Sequence, residues 1–569
     1  MIAATWTMNW IDTSVLAAYL IGITSFGIWV GFRRHASSQQ YFLANKSLGW
    51  FTVGAAVFTS NISTIHLVGL AASGAKDGMV VGNFEWMACF ILIILALLFA
   101  PFYFKSKVST LPEFMERRYC PQARTFLAVI GLIGALLIHI GISLFAAAKV
   151  FESFLGVPMI VTIVVLSVFT VTYTALGGLK AVVMTENVQV CLLLGGAILI
   201  TVRGICALRN VGVHTLGSLQ AAANPGQLSM FQPIWNAHGH LNEYSWLAVL
   251  LGYPIVGIWY WCGDQTHVQR VLGAKDLRSA QDGPLFAGFL KITPVFLMVL
   301  PGVIGSILWQ RGALHLASQT GSGTPDYNTM LPALIDTLVP VGLRGLLAAG
   351  LAAALMSCMA AALNSCATLI SVDIVQRLRP TATDAQVVTV GRVSTGIIMV
   401  LAMLWSTQGE QFGTIFEAIN KIPMTFAPAV TTVFVLGILW KRGTWQAALS
   451  TLYIGSAVGI LYFVGDLPSV GRLFLAGRAH SDFAGLISDP VQGLGIPFML
   501  VGPLLACLCL AIYVLVSLAT PAMEQEAISK VCWDHPLQFL TGRLNGKGDP
   551  RVVASILLLV VFTLYWLMR

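Results

Sequence analysis

About fourteen separate stretches of this 569-residue chain stay apolar over the roughly 20 residues that a bilayer crossing needs. They run near 10–33, 48–75, 79–104, 124–150, 157–176, 182–206, 246–263, 284–310, 340–374, 388–407, 413–440, 445–465, 492–519 and 551–568. In hydrocarbon a backbone N–H or C=O finds partners only within its own segment or a closed barrel, so runs this long and this uncharged are helices. The expected fold is an all-α polytopic membrane protein with about 14 transmembrane helices. A hydrophobic share of 57% and a charged share of 10% exclude a string of soluble domains. In such a chain the net charge of +8 is a matter of how loops are charged, not a nucleic-acid signal. The ten cysteines lie mostly inside apolar runs with no CxxC pair, so neither a disulfide framework nor a zinc site is expected.

An even number of crossings puts both ends on one side of the membrane. Lys and Arg choose that side, because they collect in the loops that stay inside. One set of alternate loops, holding Arg33, Arg34, Lys105, Lys107, Arg117, Arg118, Arg270 and Lys441 among others, carries about twenty cations. The other set, with both termini, carries about eight, so both ends are expected to face outward from a cell membrane. The first run lacks a basic flank and a small-residue cleavage site, and is expected to be retained. The outward segments near 207–245, 311–339 and 466–491 are too short for a separate domain, and the inward segment 520–550 reads as a tether. There is no GxxxxGK[ST] loop, so transport driven by ATP has no engine within these residues.

Polar groups inside apolar runs need a partner or a water-lined cavity. The stretch Phe58 to Glu85, FTSNISTIHLVGLAASGAKDGMVVGNFE, places Thr59, Ser60, Asn61, Ser63, Thr64 and His66 within one run and Glu85 within the next. Ser, Thr and Asn compete with the helix for its own backbone groups, so the helix is expected to unwind there. Unwound backbone at mid-membrane frees carbonyls for a cation and side chains for a solute. A polar helix–helix contact is the alternative. Further along, GIWYWCGDQTHVQRVL ends a helix on Trp259, Tyr260 and Trp261 just before charged residues, and Lys291 lies inside LFAGFLKITPVFLMVLPG. An unpaired intramembrane charge is costly, so Glu85 and Lys291 either pair structurally or hold a solute between them. A carboxylate, an ammonium, an amide, an imidazole and indoles suit a polyhydroxylated ring, whose hydroxyls both donate and accept. In GLAAALMSCMAAALNSC, Ala354, Ser357 and Cys358 share one helix face at i, i+3 and i+4. With carbonyls from the Asn61 break they could form an oxygen cage for a small hard cation. Close packing of small residues is the alternative.

The segments FTSNISTIHLVGLAASGA…GNFEW, TYTALGGLKAVVMTENVQ, IWYWCGDQTHVQRVLGAKD, GFLKITPVFLMVLPG and LNSCATLISVDI, with TLPEFMERRY and ILWKR, resemble the sodium:solute symporter family in the same order across roughly 50–440. His66 with GNFEW and the WYWC…DQ segment resemble its sodium/glucose cotransporter branch. The resemblance implies a LeuT-type 5+5 inverted-repeat core, with repeats over 48–206 and 246–440 and a discontinuous first helix in each. Residues 1–47, the outward loop 207–245 and the three C-terminal helices of 441–569 would lie outside it. Carried onto this sequence, the family's sugar contacts fall on Asn61, His66, Phe84, Glu85, Trp261, Lys291 and Asn420, with Tyr260 as an inner gate aromatic. Its sodium site falls on the carbonyls of Thr59, Ile62 and Ala354 and the side chains of Ser357 and Cys358. This chain departs from that pattern at Asn420, where the family has Gln, and at Cys358, where it has a hydroxyl. Ala360 and Ala361 replace the hydroxyls of a second sodium site, and Glu186 replaces an Asp, which implies one ion per cycle.

The function so implied is a secondary active symporter coupling sodium entry to uptake of a sugar or polyol, with sodium as coupling ion and no cofactor. A symporter of another small solute, such as an organic acid or amino acid, driven by sodium or by protons, is the nearest alternative. A non-transporting nutrient sensor would need a signalling domain, and none is evident. A membrane enzyme would need a nucleophile–base pair, and none is evident either.

Overall fold

The computed structural model describes residues 9–31, 37–236, 239, 241–317, 325–408, 422–466, 496, 498–524, 528, 529, 531–535, 538–541, 544, 546 and 548–569. Among these the regular elements are helices, with two isolated bridges, Leu48–Ala274 and Trp235–Leu241. We label the long helices and the segments at the breaks α1 (Trp10–Gly31), α2 (Trp50–Asn61), α3 (Thr64–Asp77), α4 (Met79–Lys105), α5 (Pro121–Glu152), α6 (Met159–Asn210), α7 (Trp246–Gly263), α8 (Gln265–Leu272), α9 (Leu277–Gln310), α10 (Leu343–Leu378), α11 (Asp384–Ser406), α12 (Ala427–Leu439), α13 (Trp445–Gly465), α14 (Phe498–Ala519) and α15 (Pro550–Leu567). Eleven helices among the described residues are long and apolar enough to cross a membrane, and α2 with α3 form one further span bent by 60°.

Two expected runs, 157–176 and 182–206, are joined in α6, whose 52 residues at about 1.5 Å each far exceed a ~30 Å hydrocarbon layer. Gly178 breaks it with φ 58° and ψ −163°. A side chain at Gly178 would meet the Tyr41 carbonyl at 2.5 Å, so only glycine fits this turn. The run expected over 413–440 is described from Ile422 onward, and its earlier part, with Glu417, Asn420 and Lys421, lies outside the described residues.

The centre of the bundle is α10, in which every residue from Leu347 to Leu369 is buried. It packs on α6, where a methyl on Gly350 would fall 3.7 Å from Leu192 O, and α1 reaches α6 through glycines: a methyl on Gly31 would fall 2.4 Å from Gly177 Cα. On the side expected to face inward, Thr110 caps the short helix Leu111–Arg118. Arg118 is buried and donates to the carbonyls of Gly437, in the last turn of α12, at 2.6 Å and of Trp440, just after it, at 3.1 Å. The motifs TLPEFMERRY and ILWKR thus meet, and a cation counted with the inward loops serves as a C-cap instead. The tether docks beneath, with Trp533 donating from its backbone N–H to Ile438 O at 2.8 Å and from its indole to Leu98 O at 3.3 Å.

Candidate functional site

The first break follows from its residues. Near the end of α2 the Thr59 hydroxyl bonds back to Ala55 O at 2.7 Å and the Ser60 hydroxyl to Val57 O at 3.1 Å. Such back-bonding weakens a helix. Ile62 (φ −77°, ψ 112°) and Ser63 (φ −113°, ψ 176°) are extended, and a Ser63/His66 capping box starts α3. His66 Nδ1 accepts from the Ser63 N–H at 3.2 Å, so a neutral ring carries its hydrogen on Nε2. That nitrogen lies 3.8 Å from Glu85 Oε1.

The second break is at Asp264, extended between the π-helical end of α7, Trp259–Gly263, and α8. Asp264 Oδ1 caps α8 by accepting from Thr266 N–H at 2.7 Å, and Oδ2 pairs with His139 Nε2 at 2.8 Å. The two breaks are tied together: Ser60 Oγ and His267 Nδ1 are 3.2 Å apart, and Asn61 Nδ2 donates to the Tyr260 hydroxyl at 2.9 Å. The Tyr260 ring lies 4.2 Å from that of His267.

Between the breaks is a cavity of about 130 Å³. Seven of the eight expected solute residues line it: Asn61, His66, Phe84, Glu85, Tyr260, Trp261 and Lys291. The eighth, Asn420, lies outside the described residues. Lys291 Nζ donates to Glu85 Oε2 at 2.6 Å and also to Asn61 Oδ1, and lies 5.4 Å from the centre of the Trp261 ring. The pair is therefore formed, and it is formed on the cavity wall. Carboxylate, ammonium, amide and imidazole supply donors and acceptors, while Phe84 and Trp261 supply aromatic surface.

Three of the five expected cation residues meet. Ser357 Oγ lies 3.2 Å from Thr59 O and 2.9 Å from Ala354 O. Thr59 O belongs to the last turn of α2, where carbonyls beyond Phe58 have no helical N–H ahead of them to accept from. Ile62 is the buried residue that follows α2. Cys358 turns its thiol to His139 O at 3.5 Å, and a thiol is a weak ligand for a hard cation. Beside this cluster, Glu186 and Arg270 form a fully buried pair at 2.7 Å, and the Glu186 carbonyl is 3.5 Å from Thr59 Oγ1. Arg270, counted above with the inward loops, is thus an interior residue of α8.

Tyr253, Val256 and Gly257 also line the cavity and were not expected. With Tyr260 they fall at i, i+3, i+4 and i+7, one face of α7, so the helical period would have found them once Tyr260 was assigned. Gly257 leaves room for a ring here, since a methyl there would fall 2.9 Å from Tyr253 Cε1. His139 was missed as well, although a histidine in the apolar stretch ALLIHIGI is itself a signal.

Broken helices that bring polar and charged side chains to a cavity inside a membrane bundle define a secondary transporter. A profile of the sodium:solute symporter family matches residues 41–455, and the chain belongs to that family. It is a transporter, not an enzyme. It is 35% identical over 479 residues to the sodium/glucose cotransporter 2 of Rattus norvegicus, covering 80% of this chain and 72% of the relative. It is 32% identical to the sodium/mannose cotransporter SLC5A10 of Bos taurus, covering 95% and 92%, and 31% identical to the sodium/myo-inositol cotransporter 2 of Sus scrofa, covering 93% and 79%. Its fold is shared with a substrate-bound outward-open state of a Na+-coupled sialic acid symporter, at 20% identity and a TM-score of 0.71 over 91% of this chain and 99% of that one.

Proposed function

We propose that this chain couples sodium entry to uptake of a sugar or related polyol by alternating access. The observation that carries the reading is the single cavity on which Asn61, His66, Glu85 and Lys291 meet Phe84, Tyr260 and Trp261. Hydroxyls bond to the first group and ring C–H faces cover the second. The solutes for which these relatives are named, glucose, mannose and myo-inositol, are all polyhydroxylated rings. Thr59, Ala354 and Ser357, with Ile62, supply oxygen ligands for sodium, and Cys358 contributes little to them. Filling that site ties α2 to α10 and organises the adjacent cavity, so ion and solute share a coupling free energy.

In this reading the core is two five-helix repeats over 48–206 and 246–440, one sodium moves per cycle, and both termini face outward from the cell membrane. Asn420 completes the solute site. The test is counterflow of labelled glucose, galactose, mannose and myo-inositol in proteoliposomes, with sodium, lithium and proton gradients imposed separately. Exchange of one or more of these solutes in sodium supports the reading. Exchange of organic acids or amino acids alone, or with protons alone, contradicts it.

A further inference from the structure

The last helix reaches back to the site. In α15, Ala554, Leu557 and Val561 are buried against α4 and α9, and Leu557 Cδ2 would lie 2.6 Å from a methyl placed on Gly288. Near the end of the same helix, the Tyr565 hydroxyl donates to Asn83 Oδ1 at 2.8 Å, and its ring meets that of Trp86 edge to face at 5.1 Å. Asn83 donates in turn to Val80 O at 2.9 Å and to Met230 O at 2.8 Å. Met230 N–H then donates to Met568 O at 2.8 Å, which closes a ring of bonds between the start of α4, the segment before α7 and the chain end.

Asn83 and Trp86, three residues apart, share one face of α4, while Glu85 is turned about 100° or more away from each, at 100° per residue. Whatever fixes Asn83 and Trp86 therefore fixes the rotation of α4 about its axis, and with it the direction in which Glu85 points. Trp86 does the same for the partner, because its indole N–H donates to Ile292 O at 3.2 Å, one residue beyond Lys291. Tyr565 is the group that touches both anchors.

We propose that Tyr565 is a positioning residue for solute binding: through Asn83 and Trp86 it sets Glu85 against Lys291 on the cavity wall. The inference rests on the proposed function, since it assigns those two charges to the solute site. Neither Tyr565 nor α15 lines the cavity, so the residue acts only through others.

The test is uptake in proteoliposomes by wild type, Tyr565→Phe and Tyr565→Ala, with the concentration for half-maximal uptake measured for solute at saturating sodium and for sodium at saturating solute. Tyr565→Phe keeps the ring and loses one hydrogen bond. It should raise the solute value by about two- to ten-fold. Tyr565→Ala also loses the ring contact and should raise it further. In both variants the sodium value should be unchanged. Equal solute values in wild type and Tyr565→Phe would overturn the proposal, as would a loss of maximal rate with no change in either half-saturation, the mark of a merely structural helix. Because Tyr565→Phe is conservative, it decides the matter even if Tyr565→Ala fails to insert. A wild type that transports none of the four sugars and polyols overturns both this inference and the proposed function. A wild type that transports, with variants like it, overturns this inference alone.

Discussion

Two buried ion pairs of nearly equal length lie near the broken helices. Glu85–Lys291 measures 2.6 Å with its side chains at 3% and 1% exposure, and Glu186–Arg270 measures 2.7 Å with both at zero. What differs is their surroundings. Lys291 has Asn61 as a second partner, and Glu85, His66 and Trp261 share a cavity with it. Glu186 and Arg270 do not line that cavity; Arg270 also donates to the Thr266 carbonyl within α8, while Glu186 Oε2 and Arg270 Nε have no hydrogen-bond partner among the described residues. A buried ion pair is therefore not in itself a sign of a binding site. A pair whose charges can be re-bonded by something entering a cavity is one, and a sealed pair is a latch.

The largest expected effect follows from that contrast. Lys291→Ala removes charge-assisted bonds to the solute and should lower uptake at least about a hundred-fold. Its melting temperature in detergent should change little, because water in the cavity can reach Glu85. Arg270→Met leaves the sealed Glu186 carboxyl without its partner, which costs about 3–5 kcal/mol. It should lower the melting temperature sharply, and Glu186→Gln with Arg270→Met should recover it. If both single variants lose stability alike, Glu85–Lys291 is a structural pair as well. Next in size is Ser357→Ala, which removes one of the few side-chain oxygens near Thr59 O. It should raise the sodium concentration for half-maximal uptake by about three- to ten-fold. An unchanged value would take Ser357 out of the cation site.

Asn420→Gln should act on the cavity alone. The amide is the same but reaches about one carbon–carbon bond further, so the ranking among glucose, galactose, mannose and inositol should shift by a few-fold at saturating sodium, with sodium dependence unaltered. Identical rankings would place Asn420 away from the solute. The smallest effect belongs to Cys358→Ser. A hydroxyl can keep the bond to His139 O and is the harder ligand, so the sodium requirement should stay level or fall slightly. A marked rise would give the thiol a part in the site that its direction toward His139 argues against.

The breaks were legible because lipid makes polar clusters conspicuous. Thr59 to His66 and Trp259 to Asp264 each announce a place where a membrane helix cannot simply continue. The seven cavity residues followed from the resemblance together with that logic. What the chain does not reveal on its face is pairing across long separations. Arg118 and Arg270 read as loop cations, since charge near a helix end ordinarily faces water. Their burial depends on the Gly437 carbonyl of α12 and on Glu186, partners 319 and 84 residues away. His139 and Asp264 are likewise 125 residues apart. The same holds for Tyr565, whose hydroxyl meets Asn83 across 482 residues. The division of α6 at Gly178 was expected as two runs, but the lack of any loop there was not, because one glycine with positive φ makes the turn.

The most direct measurement is accumulation of labelled sugar in proteoliposomes above its external concentration, with sodium outside and choline inside at constant pH. Accumulation should disappear when choline replaces external sodium and collapse when a sodium ionophore is added. Equal accumulation in choline, or accumulation driven by a pH gradient without sodium, would contradict sodium coupling.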